Sequence, residues 1–175
     1  MGLRPGRTMR DVDKASWSRF SRRRPRKSYI KAMPHQDITQ FRMGAIKPDY
    51  NATFRLISQQ DIQIRDNALE SARQAVNKFL EKSMVGNFYF VVRVFPHQVI
   101  RENKMIAGAG ADRLQKGMRQ SFGRATDKAA RVRKHQDVFL INTYKDKSRI
   151  IEQAIGRALQ KLPGSYKLTM EDKAA

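Results

Sequence analysis

The chain has 175 residues, with 36 Lys plus Arg against 16 Asp plus Glu, a net charge of +20 and a sequence pI near 10.9. That length fits one domain, or one domain with a tail, and a charge of this size repels itself in the compact state unless a polyanion neutralises it. No apolar run approaches the roughly 18 residues of a membrane span, no apolar h-region follows the N-terminus, and the lack of cysteine excludes disulfide frameworks, thiolate zinc sites and thiol catalysis. The expectation is a soluble, intracellular, cytoplasmic protein held on a polyanion, with nucleic acid the first partner and an anionic membrane the second.

The charge is not spread evenly. Residues 1–48 carry a net +10, 49–95 carry +1, 96–135 carry +7 and 136–175 carry +2. Two basic blocks therefore alternate with two nearly neutral ones, which predicts a basic arm at 1–48 and a single domain at 49–175 interrupted by a basic insertion. The arm is rich in Pro and Arg. Arg19, Arg22, Arg23, Arg24, Arg26 and Lys27 fall within nine residues, near Trp17, Phe20 and Tyr29. It has little to bury and is read as irregular without a partner. The planar fork of Arg suits phosphate and stacks on bases. A localisation signal or a solvated tail is the bland alternative.

The neutral blocks supply the elements. Residues 52–59 alternate in polarity and predict a strand. Leu69, Ala72, Val76, Phe79 and Leu80 recur at spacings of three and four, predicting a helix over 67–82; Asn67 with Glu70 resembles a capping box. The aromatic and β-branched run from Asn87 to Phe95 predicts a strand ended by Pro96. Val138–Tyr144 predicts another strand, and Ile151, Ala154, Ile155, Ala158, Leu159 and Leu162 predict a helix over 148–162, stopped by Pro163 and Gly164. Tyr166–Met170 predicts a last short strand. Two strand–helix–strand units imply an α+β two-layer sandwich, with helices on one face of a mainly antiparallel sheet.

The basic insertion, Phe95 to Val132, holds Gly108, Gly110, Gly117, Gly123 and eight basic residues. A short helix is predicted over 112–122, with Asp112 at its start. The glycines fit no nucleotide loop: a Walker turn needs Gly-Lys-Ser/Thr, but Lys116 precedes Gly117, and the third glycine of a dinucleotide fingerprint is Arg113 here. A long Gly-rich basic loop in a compact domain is usually functional, so it is read as an RNA- or DNA-contacting loop, with a mobile surface loop as the bland alternative. His35, His97 and His135 have no metal-ligand spacing. Glu102 and Asp112 are read as the partner of a nearby basic residue and a helix cap rather than as a catalytic pair. No enzyme, cofactor or metal is expected.

The run Phe95-Pro96-His97-Gln98-Val99-Ile100-Arg101-Glu102-Asn103-Lys104-Met105, followed by Gly108 through Arg119, closely resembles one family. It is the large-subunit ribosomal protein family called L-sixteen universally, L-ten-e in archaea and QM protein in eukaryotes. Phe122-Gly123, Ala129-Ala130-Arg131-Val132, Arg4-Pro5-Gly6-Arg7, Arg10-Asp11, Tyr29-Ile30, Met43-Gly44 and the helix at 69–80 are also similar. The resemblance covers nearly the whole chain to about residue 168, and a short C-terminus makes it look archaeal. It implies an α/β-hammerhead type of sandwich and a non-catalytic place on large-subunit rRNA, beside the peptidyl transferase centre and the A- and P-site tRNAs. It also implies a role in late subunit maturation and tRNA positioning, with neighbouring ribosomal proteins as contacts, no membrane and no homo-oligomer.

The rRNA-binding residues so implied are Arg4, Arg7, Arg10, Lys14, Arg19, Arg22, Arg23, Arg24, Arg26, Lys27, Arg119, Arg124 and Arg131. The implied tRNA-proximal loop, 101–117, carries Arg101, Asn103, Lys104, Met105, Gly108, Gly110, Asp112, Arg113 and Lys116. Two features depart from the family pattern. Phe122-Gly123-Arg124-Ala125-Thr126-Asp127 lacks the usual Pro and second Gly and adds a negative charge, and Met9 replaces a usual Tyr. The alternatives are a non-ribosomal basic nucleic-acid-binding protein and an RNA-modifying enzyme.

Overall fold

The computed structural model describes residues 30, 32–102 and 123–172. Its elements in chain order are β1 (Arg42–Gly44), β2 (Ala52–Ser58), β3 (Ile62–Arg65), α1 (Asp66–Ser83), β4 (Tyr89–Val92), β5 (Gln98–Glu102), β6 (Arg124–Val132), β7 (Asp137–Thr143), a single 3-10 turn (Lys145–Lys147), α2 (Ser148–Leu159) and β8 (Tyr166–Asp172). The expected α+β class holds. The expected single sheet does not: among the described residues there are two antiparallel sheets, one of five strands ordered β1-β4-β7-β2-β8 and one of three ordered β3-β6-β5.

The five-stranded sheet follows from alternation. In β2 the side chains of Ala52, Phe54, Leu56 and Ser58 are buried while those between them are not. Register puts Phe54 opposite Ile141 and Met170, Leu56 opposite Phe139 and Leu168, and Phe90 opposite Ile141 and Met43. Paired residues share a face, so one face of this sheet is apolar. Leu69, Ala72, Val76 and Leu80 of α1 and Ile151, Ala154, Ile155 and Ala158 of α2 join that face in one core. Phe90 and Phe139 meet edge to face, with ring centroids 5.2 Å apart and planes at 87°, the arrangement the ring quadrupoles favour. The other face is polar: Thr53 Oγ1 donates to Asn142 Oδ1 at 3.1 Å, and Arg55 reaches Glu171 at 2.8 Å and Asp137 at 3.8 Å.

The strand predicted over 87–95 is narrower in the structure, Tyr89–Val92, although Arg93 N–H still donates to Val138 O of β7 at 2.9 Å. The helix predicted over 148–162 ends at Leu159, and Lys161 and Leu162 still donate to Ala158 O. The capping box at Asn67 and Glu70 is not formed. The helix begins one residue earlier, at Asp66, whose carboxylate accepts from Asn67 N–H at 3.0 Å and from Asp37 N–H at 3.1 Å. Glu70 turns instead to Arg73 and Gln74.

Residues 32–48, assigned from the sequence to the arm, contribute β1 and place Ile38 and Met43 in the core. Gly44 sits at φ +84°, and a Cβ there would collide with the Phe88 carbonyl oxygen, so glycine is required where β1 leaves β4. The predicted helix over 112–122, most of the arm and the chain's last three residues lie outside the described residues.

Candidate nucleic-acid interface

Strands β5 and β6 form an antiparallel pair whose open end carries the basic insertion. Register runs from Gln98 opposite Ala129 to Glu102 opposite Arg124, with a bulge between Ile100 and Arg101. An extra residue at that point bends the strand and increases its twist. Thr126 Oγ1 donates to Ile100 O at 3.3 Å beside the bulge. The chain therefore leaves the body at Glu102 and re-enters at Arg124, and residues 103–122 span that gap.

Of the residues expected to bind RNA, three are described. Arg124 opens β6 and is exposed; Arg101 closes β5 and Arg131 lies late in β6, both half-buried. Arg131 sits opposite Gln63 of β3, so it is at the far end of β6 from Arg101 and Arg124. Arg4, Arg7, Arg10, Lys14, Arg19, Arg22, Arg23, Arg24, Arg26, Lys27 and Arg119 lie outside the described residues, as do Asn103, Lys104, Met105, Gly108, Gly110, Asp112, Arg113 and Lys116.

Asp127, the added negative charge of the altered 122–127 stretch, faces Arg65, with Nη2 to Oδ2 at 3.9 Å. A partner inside the protein thus offsets it. Next to it Lys128 Nζ donates to Gln36 Oε1 at 3.2 Å. Asp66 is 4% exposed; burial is the main cause that pushes its carboxyl above the ordinary aspartate range, and the charges of Asp37 and Asp127 add to it, against two backbone donors that pull it down. His97 is exposed, with Nδ1 3.0 Å from Phe95 O, a local turn contact. Among the described residues, no group of three or more His, Asp or Glu side chains is placed to hold a metal ion, and no helix is long and apolar enough to cross a membrane.

One basic feature escaped the sequence reading. Arg133, Lys134, His135 and Gln136 form the tight turn between β6 and β7, and all four are exposed. His135 has φ +64°, the only positive φ at a non-glycine among the described residues. The missed signal was β6 itself: once Arg124–Val132 is recognised as a strand, four polar residues before Asp137–Thr143 read as a hairpin turn.

Comparison with known proteins places these features in a family. A family model described as ribosomal protein L16p/L10e matches residues 17–169. The chain is similar to a protein named large ribosomal subunit protein uL16 in three archaea. From Methanococcus maripaludis (strain S2) it is 40% identical over 172 residues, 97% of this chain and 95% of the relative. From Metallosphaera sedula it is 46% identical over 167 residues, 93% of this chain and 91% of the relative. From Thermofilum pendens it is 41% identical over 172 residues, 98% of each.

Proposed function

The chain belongs to the ribosomal protein L16p/L10e family and is a structural protein of the large ribosomal subunit, and on that premise we propose that it binds large-subunit rRNA beside the peptidyl transferase centre and the A- and P-site tRNAs. In this reading it supports late maturation of the subunit and the positioning of tRNA, and it catalyses nothing itself.

The observation that carries the reading is where the charge lies relative to the fold. The described residues hold 20 basic against 13 acidic side chains, a net +7 of the chain's +20. Of the remaining +13, residues 1–29 and 31 carry +9, residues 103–122 carry +3 and Lys173 carries +1. A body that is only mildly basic is a mount of α/β-hammerhead type. The basic arm, drawn from the sequence at 1–48 with its last part built into the body, neutralises phosphates and gains affinity by releasing counterions. The loop at 101–117 brings Lys104, Arg113 and Lys116 to the tRNA acceptor ends. Single-stranded and irregular RNA is read by stacking on aromatic rings and guanidinium planes, which Trp17, Phe20 and Tyr29 and the arginines beside them supply.

Two measurements test the reading. The tagged full-length chain should sediment with large subunits, and its affinity for purified large-subunit rRNA should fall steeply as salt rises. Deleting Ile106 to Asp112 should leave the circular-dichroism melt of the chain unchanged while depleting mature large subunits in polysome profiles. Sedimentation with the nucleoid, a flat salt response, or unaltered polysomes in the deletion strain would reject it.

A further inference from the structure

The chain between β4 and β5 has no role in the reading above. Its residues alternate: Arg93, Phe95 and His97 are exposed, while Val94 and Pro96 between them are buried. Phe95 is 55% exposed although it is a large apolar side chain. We propose that this segment is a docking site for one unpaired nucleotide of RNA, with the base stacked on the Phe95 ring, the phosphate held by Arg93 and a hydrogen bond accepted by His97 Nε2. The inference rests on the proposed rRNA binding and adds a site to it.

The segment is tied down before any partner arrives. Val92 N–H donates to Phe41 O at 2.8 Å and Arg93 N–H to Val138 O at 2.9 Å, so the chain leaves the larger sheet held from both sides. Val94 lies in the core. His97 N–H then donates to Phe95 O at 3.0 Å. A bond between residues two apart marks a γ-turn, here centred on Pro96, whose ring already restricts its own φ. The same Phe95 carbonyl lies 3.0 Å from His97 Nδ1. A carbonyl only accepts, so Nδ1 carries the proton and Nε2 is the acceptor of the neutral ring. Phe41, packed against the core, braces Phe95 with ring centroids 5.5 Å apart and planes at 32°. A contact presented on a rigid element loses little ordering entropy on binding.

The chemistry of the site selects its occupant. The fully buried centre of a protein–protein interface is an apolar patch, but Phe95 stands apart from other exposed apolar groups. Among the described residues, the other exposed large hydrophobics are Ile46 and Val85, beyond the opposite end of the β1–β4 ladder, Leu159 on α2, and Met170 on β8, three strands from β4. The two stretches that build the site, residues 38–48 and 86–101, hold four Lys or Arg and no Asp or Glu. Asp137, next to Val138, faces Arg55 at 3.8 Å, and Glu70 is held by Arg73 and Gln74. A lone aromatic ring in cationic surroundings matches a nucleobase, whose π face stacks on it while its phosphate meets the cation. A base paired in a helix keeps its faces in the stack, so the occupant is an unpaired nucleotide. Arg93 and Phe95 stand two residues apart, about 7 Å in an extended chain, close enough to hold the two ends of one nucleotide.

The test uses the full-length chain and purified large-subunit rRNA in filter binding across a salt series. Phe95→Ala should weaken binding about tenfold, the loss expected for one stacked base. Phe95→Tyr should keep the wild-type affinity, whereas Phe95→Leu, apolar but without a π face, should behave as the alanine variant does. Arg93→Gln should reduce the slope of log affinity against log salt by about 0.7, the release from one single-strand phosphate contact. A second readout works even if the alanine variant unfolds. Trp17 is the chain's one tryptophan, so Trp17→Phe combined with Phe95→Trp puts a lone indole at the site. Its fluorescence should be quenched by rRNA but not by polyphosphate, which offers charge without bases. If the wild-type chain binds rRNA while the alanine and leucine variants match it and the indole is not quenched, this inference is overturned and rRNA binding stands. Full affinity in Phe95→Leu alone would make the contact an apolar one and overturns the stack. If the wild-type chain shows no salt-dependent binding, the underlying reading fails, and this inference with it. Unchanged rRNA binding with reduced incorporation into subunits would make Phe95 a contact for a neighbouring protein, and that also overturns the RNA assignment.

Discussion

Glu70 and Arg73 give the sharpest test of how the body is tied together. Arg73 is 8% exposed although it carries a full charge. Its guanidinium forks onto Glu70 at 2.5 and 2.8 Å, reaches Gln40 Oε1 at 3.4 Å and touches Met43 Sδ at 3.1 Å. It therefore joins α1 to the segment that leads into β1, at the edge of the larger sheet. The hydrogen bond to Arg73 is the main reason the Glu70 carboxyl lies below its ordinary range, and the same pairing raises Arg73. Removing one member leaves the other buried without compensation, whereas removing both does not. Arg73→Met should cost about 3 kcal/mol, the low end for a broken buried pair, since Gln74 still donates to Glu70 at 2.8 Å. Glu70→Gln should cost about 2 kcal/mol and the double variant about 3, a coupling of about 2 kcal/mol.

Urea unfolding followed by circular dichroism measures all three. Because the folded pKa of Glu70 is depressed, the pair's contribution is present above the ordinary value of 4.5 and is lost as pH falls through the lowered folded value. The stability gap between wild type and Glu70→Gln should shrink below pH 4.5 accordingly. It should change little between 0.1 and 0.5 M salt, since burial shields the pair from screening. A coupling below about 0.5 kcal/mol, or a gap that widens on acidification, would refute the reasoning and leave the segment before β1 held by apolar packing alone.

Two further outcomes are expected. Gly44→Ala should destabilise the chain by about 2–4 kcal/mol, combining left-handed backbone strain with the collision against Phe88 O that opens the Ala45–Phe88 hydrogen bond of 3.0 Å; an unchanged melting temperature would reject this. Asp66 has a raised folded pKa, so its folded state holds the extra proton above 3.8 and stability drains away as pH rises from there toward the folded value. The stability of wild type relative to Asp66→Asn should thus decline as pH rises above 3.8 in parallel urea titrations, and a relative stability that rises with pH would contradict it.

How much of the fold was legible depended on what held each element. The two helices were readable because Leu69, Ala72, Val76 and Leu80, and Ile151, Ala154, Ile155 and Ala158, are core residues at helical spacing. Strands β2, β4 and β7 were readable because their apolar alternation faces the same core. Strand β6 was not: Arg-Ala-Thr-Asp-Lys-Ala-Ala-Arg-Val has only Thr126 and Val132 as β-branched residues and no clean alternation. It is extended because β3 and β5 pair with it on both sides, a tertiary cause that no local propensity reports. Strands β1 and β3, of three and four residues, are too short to show a period.

The same blindness hid the β6–β7 turn. Block charges marked 96–135 as basic but could not divide that charge between the insertion and the turn, because the division is made by the strand the sequence did not announce. Once β6 is in place, its bounds fix where the basic groups stand: Arg124 where the chain re-enters the body, and Arg133 and Lys134 just past the strand's end. A strand of poor intrinsic propensity, locked between two partners, keeps these two groups a fixed distance apart, which a flexible basic tail of equal charge cannot do.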